Sequence, residues 1–397
     1  MMEVREVYNP LAFSTECHQD YPAPTPTKFS TSPRTMSTAS NQAASLRRLF
    51  TDIGYSYKPL LQSDASYWEP FHAWMLDTLA PKCSWSPKQL VELEHSAGSL
   101  SERIYPYATM HIKHLFAKVT AIAIIIDDSI EDQVIYEDIV QFSHRVYLGV
   151  EQPNGLLALY HASIKELSDA YGNDAVVRGL AVVPWINFID ACLIEKDIFT
   201  QAVEASAVGK IPGGPIKNFE GLALKFPHYL RSKNGLGEAY AAGIFQTTDG
   251  QNLPVKKYIR AVPDMSFFFE AMNDLLSFHK EELAGETYNL IHLRTRALSS
   301  SGVHGSGISG EWTLYDTFGL LCDELVEATR RIDGLLRVEE CERKARGESE
   351  LNDLDEVDVA LAKQWRGWRD GYISWHFECR RYKLDSMRTA VFGDALP

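Results

Sequence analysis

The chain has 397 residues, of which 45% are hydrophobic and 23% charged, so it is long enough to bury one large core or two small ones. Its formal net charge is −14, which argues against non-specific binding of nucleic acid, because such binding needs clustered Lys and Arg. The six cysteines show no CxxC spacing and no disulfide framework, as is typical of a reducing compartment. We therefore expect a cytoplasmic protein without a nucleic-acid partner.

The first 45 residues differ in composition from the rest of the chain. They are rich in Ser, Thr and Pro and lack the apolar stretch of a signal peptide, so we predict a disordered extension over residues 1–45. Residues 46–397 show no repeat or linker and are predicted to form a single domain. The longest apolar run before Asp127 has about eight residues, well short of the ~20 of a spanning helix. This pattern predicts no integral membrane segment.

Apolar residues with helical spacing alternate with turn signals along the remaining chain, and β-type alternation is scarce. The predicted fold is therefore an all-α bundle. Pro254 suits the start of a helix, and the Gly- and Ser-rich residues 299–310 are predicted to be a flexible loop. The predicted helices are 87–103, 108–128, 134–149, 154–171, 174–203, 226–243, 254–283, 286–298, 311–345 and 356–388.

An acidic cluster ends the predicted helix 108–128. Asp127, Asp128, Glu131 and Asp132 follow the apolar run 119–126, and four carboxylates within six residues repel one another unless cations neutralise them. Carboxylates also oppose the helix dipole at a C-terminal end. The cluster alone is a weak signal because charged helix ends are usually solvated, but a bound metal ion would remove both electrostatic costs.

A second polar motif lies in the predicted helix 254–283. Asn273, Ser277 and Glu281 are spaced by four residues, so they share one helix face. Amide, hydroxyl and carboxylate oxygens are hard ligands that suit Mg²⁺. Lys280 adds a cation able to bind a phosphate group, and Phe269 lies one turn earlier on the same face. The two motifs together predict a magnesium site above an apolar well.

At these motifs the chain resembles the class I terpene synthases, whose two Mg²⁺-binding elements are an aspartate-rich motif and an Asn-Asp-x-x-Ser-x-x-Lys-Glu motif. Segments 226–237 and 371–382 narrow the resemblance to the fungal trichodiene synthase family, and it spans about residues 46–390. It implies a helical bundle, an isoprenoid diphosphate substrate and three Mg²⁺ ions, and it leaves a homodimer open. The implied metal ligands are Asp127, Asp128, Asp132, Asn273, Ser277 and Glu281.

The resemblance also nominates the groups that bind the diphosphate and the isoprenoid chain. Arg231 is the expected pyrophosphate sensor, and Arg381 and Tyr382 are further donors beside Lys280, since a guanidinium bonds phosphate oxygens in pairs. Side chains one or two turns below the metal motifs are expected to line the well, where π faces can stabilise a carbocation. The candidates are Thr120, Ala123, Ile124 and Phe269.

Three departures from the trichodiene synthase pattern bear on the product. Glu131 and Cys379 stand where that enzyme has aspartates, and Thr120 stands where it has a tyrosine. We therefore expect a sesquiterpene synthase that cyclises farnesyl diphosphate to another skeleton, such as longiborneol. A diterpene cyclase, a prenyl chain-elongating transferase and an inactive helical scaffold remain open. The transferases carry two aspartate-rich motifs, whereas the second motif here is the Asn-Ser-Glu type.

Overall fold

Helices dominate the described part of the chain, which confirms the predicted all-α class. The computed structural model describes residues 34–59, 63–207, 223–307, 310–348 and 353–393, with side chains throughout except at 34–40 and 199–207. Within these residues there is no β-strand, and one isolated β-bridge joins Gln246 to Asn252.

The N-terminal half of the bundle carries the aspartate-rich motif at the end of its fourth helix. Its helices are α1 (Arg34–Asp52), α2 (Ala65–Trp74), α3 (Pro87–Ile104), α4 (Met110–Asp128), α5 (Gln133–Leu148), α6 (Gly155–Ala170) and α7 (Ala175–Ala207).

The C-terminal half carries the Asn-Ser-Glu motif and the cationic candidates. Its helices are α8 (Phe226–Asn234), α9 (Gly237–Ala242), α10 (Val262–Ala284), α11 (Leu290–Ser300), α12 (Leu314–Leu335), α13 (Val338–Ala345), α14 (Glu356–Glu378) and α15 (Asp385–Phe392).

Helix α1 begins inside the segment 1–45 that was predicted to be disordered. The chain divides into the units Met1–Thr38 and Ala39–Pro397, and of the first unit only residues 34–38 are described, as the start of α1. Ala43, Leu46 and Phe50 of α1 are buried, because the helix turns its apolar stripe inward. The prediction of disorder is therefore wrong for the residues inside α1, and residues 1–33 lie outside the described part of the chain.

Several predicted helices are interrupted by backbone conformations that the hydrophobic spacing does not report. The predicted helix 226–243 is two helices, since Leu236 adopts a left-handed φ of 59° between α8 and α9. Arg337, with φ 55°, divides the predicted helix 311–345 in the same way. A non-glycine residue with positive φ ends a helix, because the regular bond pattern cannot continue through it.

The helix that bears the second motif begins later than predicted. Pro254 precedes two short 3₁₀ turns, and α10 itself starts at Val262 with Pro263 in its first turn. The predicted helix 356–388 ends at Glu378 and is followed by the 3₁₀ turn Arg380–Tyr382, which places Arg381 and Tyr382 outside a regular helix. The predicted loop 299–310 is partly ordered, because α11 runs to Ser300 and the Gly310 N–H donates to the Gly307 carbonyl at 2.8 Å.

The packing places α10 near the centre of the bundle. It contacts α9, α12 and the 3₁₀ turn Arg380–Tyr382, while α4 packs on α3 and α6, and α14 packs on α3. Fully buried rings fill the core, among them Trp185, Trp365 and Trp368. One described helix, α7, is long and apolar enough over Ala175–Ile198 to cross a membrane by composition alone, which is equally typical of a core helix. About 44% of that segment is buried inside the bundle.

Candidate active site

The three polar residues of α10 occupy successive turns of one face, as predicted from their spacing. Ser277 and Glu281 are buried. The Ser277 Oγ atom has no hydrogen-bond partner among the described residues. Leaving a buried hydroxyl unsatisfied costs about 1–3 kcal/mol. A bound cation or a hydrogen-bond acceptor at this position would remove that cost.

Asn273 is held by both ends of its amide group. Its Oδ1 accepts from Arg231 Nη2 at 3.1 Å. Its Nδ2 donates to the Tyr382 hydroxyl at 3.1 Å and faces His376 Nε2 at 3.2 Å. Burial lowers the pKa of His376 to about 3, so this imidazole is neutral at physiological pH. Four elements of the fold therefore meet at the first residue of the row.

Glu281 is oriented by its own neighbours at the other end of the row. Its Oε2 accepts from Asn289 Nδ2 at 2.8 Å, and its Oε1 lies 3.5 Å from Lys280 Nζ. Hard oxygens from Asn273, Ser277 and Glu281 fit a divalent cation such as Mg²⁺, which accepts few protein ligands and keeps room for water and phosphate oxygens. The described residues contain no group of three His, Cys, Asp or Glu side chains that could hold a metal ion, so this row depends on its amide and hydroxyl.

Asp127 faces the cationic side of the site. Its side chain is exposed at the end of α4, but nearby protein atoms still desolvate its carboxylate. This desolvation, together with the charge of Asp128, raises the pKa of Asp127 to about 6, against the lowering effects of Arg381, Lys280 and Arg231. The aspartate motif and the α10 row therefore lie within electrostatic range of each other, since Lys280 of α10 affects the pKa of Asp127.

The other acidic residues of the first motif have separate partners around the end of α4. Asp128 is exposed beside Asp127, and its charge raises the pKa of Arg381. Asp132 caps α5, since its Oδ1 accepts from the Val134 N–H at 2.9 Å. Glu131 lies 3.3 Å from Lys196 Nζ. The structure thus gives Asp132 a capping role, and its predicted metal contact is the least supported of the six.

Arg231 is paired with buried carboxylates that the motif search did not single out. Its Nε donates to Asp274 Oδ2 at 2.8 Å and its Nη1 to Asn234 Oδ1 at 3.1 Å. Burial raises the pKa of Asp274 to about 6 and that of Glu270 to about 7, although the Arg231 charge opposes both shifts. Burial alone would lower the pKa of Arg231, but Asp274 and Glu270 outweigh it, so the guanidinium stays charged.

The raised pKa of Glu270 predicts a pH effect on stability. Its folded pKa exceeds the unfolded value of 4.5, so the folded protein binds the extra proton and loses stability as the pH rises from about 4.5 to about 7. We expect Glu270→Gln to remove this loss, so that its unfolding free energy falls less than the wild type's between pH 5 and pH 8. Urea denaturation at both pH values measures the difference, and equal changes in the two proteins would contradict the shift.

Arg381 lies in the 3₁₀ turn after α14, on the same side as the acidic motif. Burial alone would lower its pKa, but Tyr382, Asp128 and Asp127 outweigh this and the net shift is upward. Tyr382 is buried, and its hydroxyl reaches Asn273. The structure therefore brings Arg231, Lys280, Arg381 and Tyr382 around the α10 row, as expected from the resemblance.

The predicted pocket residues surround a stack of aromatic rings below the row. The Thr120 hydroxyl bonds the Tyr240 hydroxyl at 2.6 Å, and the Tyr240 ring stacks on Phe269 at 4.2 Å. Phe269 also stacks on Tyr372 at 4.2 Å. Ala123 and Phe269 are buried, whereas Ile124 is partly exposed against the core. Helix α9 thus inserts Tyr240 between α4 and α10, a contact that the sequence did not predict.

Two clefts lie near these elements, and one of them belongs to the site. A polar cleft of about 150 Å³ is lined by residues that include Glu195, Arg231, Asn273 and Glu281. This is smaller than the ~300–1,000 Å³ of common ligand pockets, so it suits a polar head group. A larger cleft of about 670 Å³ is lined by acidic groups such as Asp264 and Glu324 and shares no residue with the row. Its charge is unsuited to an anionic diphosphate.

Sequence reasoning missed several residues of the site. Glu195, Glu270 and Tyr240 come from three different helices, and no local pattern joins them. Asp274 lies inside the second motif, and its position next to Asn273 could have identified it as a partner for a nearby cation. His376 lies within the segment 371–382 that carries the resemblance, but its contact with Asn273 depends on the folded chain.

Comparisons with known proteins find relatives among the fungal terpene synthases. No family model matches the chain. Terpene synthase BipA of Cochliobolus sativus is 26% identical over 280 residues, which cover 70% of this chain and 71% of that protein. Longiborneol synthase CLM1 of Gibberella zeae is 28% identical over 284 residues, covering 72% of this chain and 70% of the relative. Trichodiene synthase of Gibberella pulicaris is a more distant relative, 21% identical.

Solved structures agree on the fold. Linalool/nerolidol synthase from Streptomyces clavuligerus matches 81% of this chain and 100% of its own, with a TM-score of 0.53 and 15% identity. The same enzyme has also been solved in complex with 2-fluorogeranyl diphosphate, at a TM-score of 0.50. At this level of identity the likeness shows the fold.

By its fold and its relatives the chain is therefore similar to the class I terpene synthases, which are lyases acting on prenyl diphosphates. Its curated homologues are fungal terpene synthases, among them longiborneol synthase and trichodiene synthase.

Proposed function

We propose that this enzyme is a magnesium-dependent sesquiterpene synthase, which ionises and cyclises farnesyl diphosphate and releases pyrophosphate. The observation that carries the proposal is the buried, unpartnered Ser277 hydroxyl, which lies between Asn273 and Glu281 on one face of α10. A satisfied core hydroxyl would need no ligand, whereas an orphaned one beside an amide and a carboxylate matches a hard-cation site.

The ligands for the cations would come from both motifs. Asn273, Ser277 and Glu281 would hold one ion, and Asp127 and Asp128 would contribute to the others, three in all by resemblance. Bound Mg²⁺ would stabilise the negative charge that develops on the departing pyrophosphate. The raised pKa of Asp127 supports this assignment, because a cation beside a desolvated carboxylate offsets the cost of its charge.

The chain's own cations would orient the diphosphate. Arg231, Lys280 and Arg381 each lower the pKa of Asp127, so all three lie within electrostatic range of its carboxylate. A guanidinium has five N–H donors in a fixed fork. Arg231 uses four of them, on Asp274, Asn234, Asn273 and the Glu270 carbonyl, which leaves one for a phosphate oxygen. Tyr382 adds a hydroxyl on the same side. These donors would neutralise the leaving group and keep it from recombining with the cation.

The aromatic stack would receive the carbocation. The π faces of Tyr240, Phe269 and Tyr372 belong to one buried stack, in which the Phe269 centroid lies 4.2 Å from each of the other two. Such faces attract positive charge, and a buried aromatic surface excludes the water that would quench it. The cleft at the row suits a head group, so the isoprenoid chain would extend toward these rings.

Substrate length is the least constrained part of the proposal. The relatives include proteins named as monoterpene and farnesene synthases, and the related bacterial enzyme holds a geranyl diphosphate analogue. Incubation with geranyl, farnesyl and geranylgeranyl diphosphates, followed by gas chromatography with mass detection, tests the choice. We expect the highest kcat/KM with farnesyl diphosphate. A preference for either other substrate would overturn the sesquiterpene assignment.

The cellular setting is also part of the proposal. The five described cysteines are free, and four of them are buried, which supports a reducing cytosol. The substrate and its metal ions are the partners that the site itself requires, and a homodimer is compatible with it.

The product should depend on the volume at Thr120. We expect longiborneol or another skeleton distinct from trichodiene, since the relative that makes longiborneol is more similar than trichodiene synthase. Enlarging Thr120 to Tyr should displace the Tyr240 ring, redistribute the products and retain pyrophosphate release. Thr120→Val, which keeps the volume but loses the hydroxyl, is the matched control and should change the products less. Trichodiene as the main product of the unmodified enzyme, or an unchanged mixture in Thr120→Tyr, would contradict this prediction.

A further inference from the structure

The contacts around Asn273 fix which end of its amide points where. Arg231 carries only donors, so the Asn273 atom 3.1 Å from its Nη2 must be the oxygen. The opposite end is then the NH₂ group, which only donates. It faces the Tyr382 hydroxyl at 3.1 Å and His376 Nε2 at 3.2 Å. Both atoms must therefore act as acceptors in this arrangement.

The two acceptors are not equivalent. The Tyr382 hydroxyl can donate or accept by rotating its hydrogen, so it tolerates either orientation of the amide. His376 cannot adapt in this way. Its Nδ1 lies 2.9 Å from the Tyr372 carbonyl, which only accepts, so Nδ1 carries the hydrogen and Nε2 presents a lone pair. The imidazole therefore accepts the NH₂ end and rejects the oxygen end.

The ring of His376 is also fixed in place. Its side chain is fully buried on α14, with ring centroids 4.5 Å from Tyr372, 4.7 Å from Trp375 and 4.4 Å from Tyr382. A rotated ring would lose the bond to the Tyr372 carbonyl and the bond to Asn273 together. The acceptor at Nε2 is thus held rigidly by the aromatic packing around it.

The orientation matters because only the amide oxygen can bind a hard cation. A reversed Asn273 would aim its NH₂ group at Arg231 Nη2, one donor against another, and would turn its oxygen toward His376. We propose that His376 is a positioning residue that fixes the Asn273 amide with its oxygen toward the metal-binding row. This inference rests on the proposed function, because it assigns a role toward a cation at Asn273.

Two substitutions of His376 test the acceptor at Nε2 separately from the hydrogen bond that Nδ1 makes. In His376→Gln the side-chain oxygen reaches the position of Nε2 and can accept from Asn273, but no side chain then bonds the Tyr372 carbonyl. In His376→Asn the shorter amide reaches the position of Nδ1 and can donate to that carbonyl, but it leaves Asn273 without the acceptor. Both variants lose the ring, so loss of aromatic packing affects them alike.

Electron paramagnetic resonance measures the affinity of the full chain for Mn²⁺ in the presence of inorganic pyrophosphate. Supporting partners of metal ligands typically contribute ~10–100-fold to affinity, so we expect His376→Asn to bind Mn²⁺ at least ~10-fold more weakly than the wild type. His376→Gln should stay within ~3-fold of the wild type on the same scale. The concentration of Mg²⁺ that half-saturates pyrophosphate release should follow the same order, with little change in the KM for farnesyl diphosphate.

The controls keep the two hypotheses apart. Thermal denaturation checks that both variants are folded, and His376→Met, which fills the space without a strong acceptor, replaces His376→Asn if that variant is not. Equal Mn²⁺ affinities in wild type and His376→Asn, or equal weakening in the Gln and Asn variants, would overturn the positioning role alone. Wild-type protein that binds no Mn²⁺ with pyrophosphate would overturn the proposed function as well.

Discussion

Replacing Ser277 with Ala is expected to lower turnover at least ~100-fold, because it removes a ligand of the proposed metal ion. Each tenfold change in turnover corresponds to ~1.4 kcal/mol of transition-state stabilisation. The substitution removes one small, buried hydroxyl that has no hydrogen-bond partner in the described part of the chain, so it should not destabilise the fold. Glu281→Ala and Asp127→Ala should lower turnover by a similar factor. Steady-state release of pyrophosphate from farnesyl diphosphate is the measurement.

The matched control for Glu281 is its neighbour Glu282. That side chain is exposed and lies 3.2 Å from His292, away from Ser277. Glu282→Ala removes the same charge from the next position of α10, and we expect it to keep turnover within ~3-fold of the wild type, as is usual for an exposed substitution. Equal losses in Glu281→Ala and Glu282→Ala would show that the effect is general electrostatics. Wild-type turnover in Ser277→Ala would contradict the metal row.

Arg231→Met is expected to destabilise the fold by ~3–5 kcal/mol, because it leaves the buried carboxylate of Asp274 without its partner. The free energy of unfolding from urea denaturation at pH 8 measures this loss. At that pH Asp274, whose pKa beside Arg231 is about 6, is charged in the wild type, so the variant loses the full ion pair. At pH 5 the carboxyl is largely protonated in the folded protein, and the loss should be smaller.

Arg331 is the control for this ion pair. It binds Asp264 at 2.6 Å with similar geometry, but more than half of its side chain is exposed. Exposed pairs contribute about 0–1 kcal/mol, so Arg331→Met should change stability by no more than that. If the two variants lose equal stability, burial is not what makes the Arg231 pair important.

The helical class and the α10 row were predictable because both depend on local spacing. Side chains four residues apart share a helix face wherever the helix lies, so Asn273, Ser277 and Glu281 could be grouped without knowing the fold. The apolar periodicity likewise predicts helices that the structure confirms, including α3 and α4 within one or two residues at each end. Chemistry that repeats along a single element can be inferred from sequence.

The breaks between helices were not predictable from the same pattern. Leu236 and Arg337 adopt left-handed conformations that are unusual for such side chains, and hydrophobic spacing continues through both positions. The break at Leu236 has a functional consequence. It separates Arg231 on α8 from Tyr240 on α9, so one faces the buried carboxylates and the other reaches Thr120.

The partners of the site residues depend on tertiary contacts between distant parts of the chain. Glu195 accepts from Asn234 at 2.5 Å across two helices, and His376 meets Asn273 across 103 positions of sequence. Asp132 illustrates an ambiguity of local patterns, since a helix cap and a metal ligand have the same residue type and the same place beside a helix end. Geometry alone separates these two roles.

Incubation of the full chain with farnesyl diphosphate and Mg²⁺, with and without excess chelator, tests the central claim most directly. Pyrophosphate release and the volatile products are measured in the same reaction, the latter by gas chromatography with mass detection. We expect release that requires the metal and a cyclic fifteen-carbon product other than trichodiene. Absence of release from farnesyl diphosphate, or release that persists unchanged in chelator, would contradict the account.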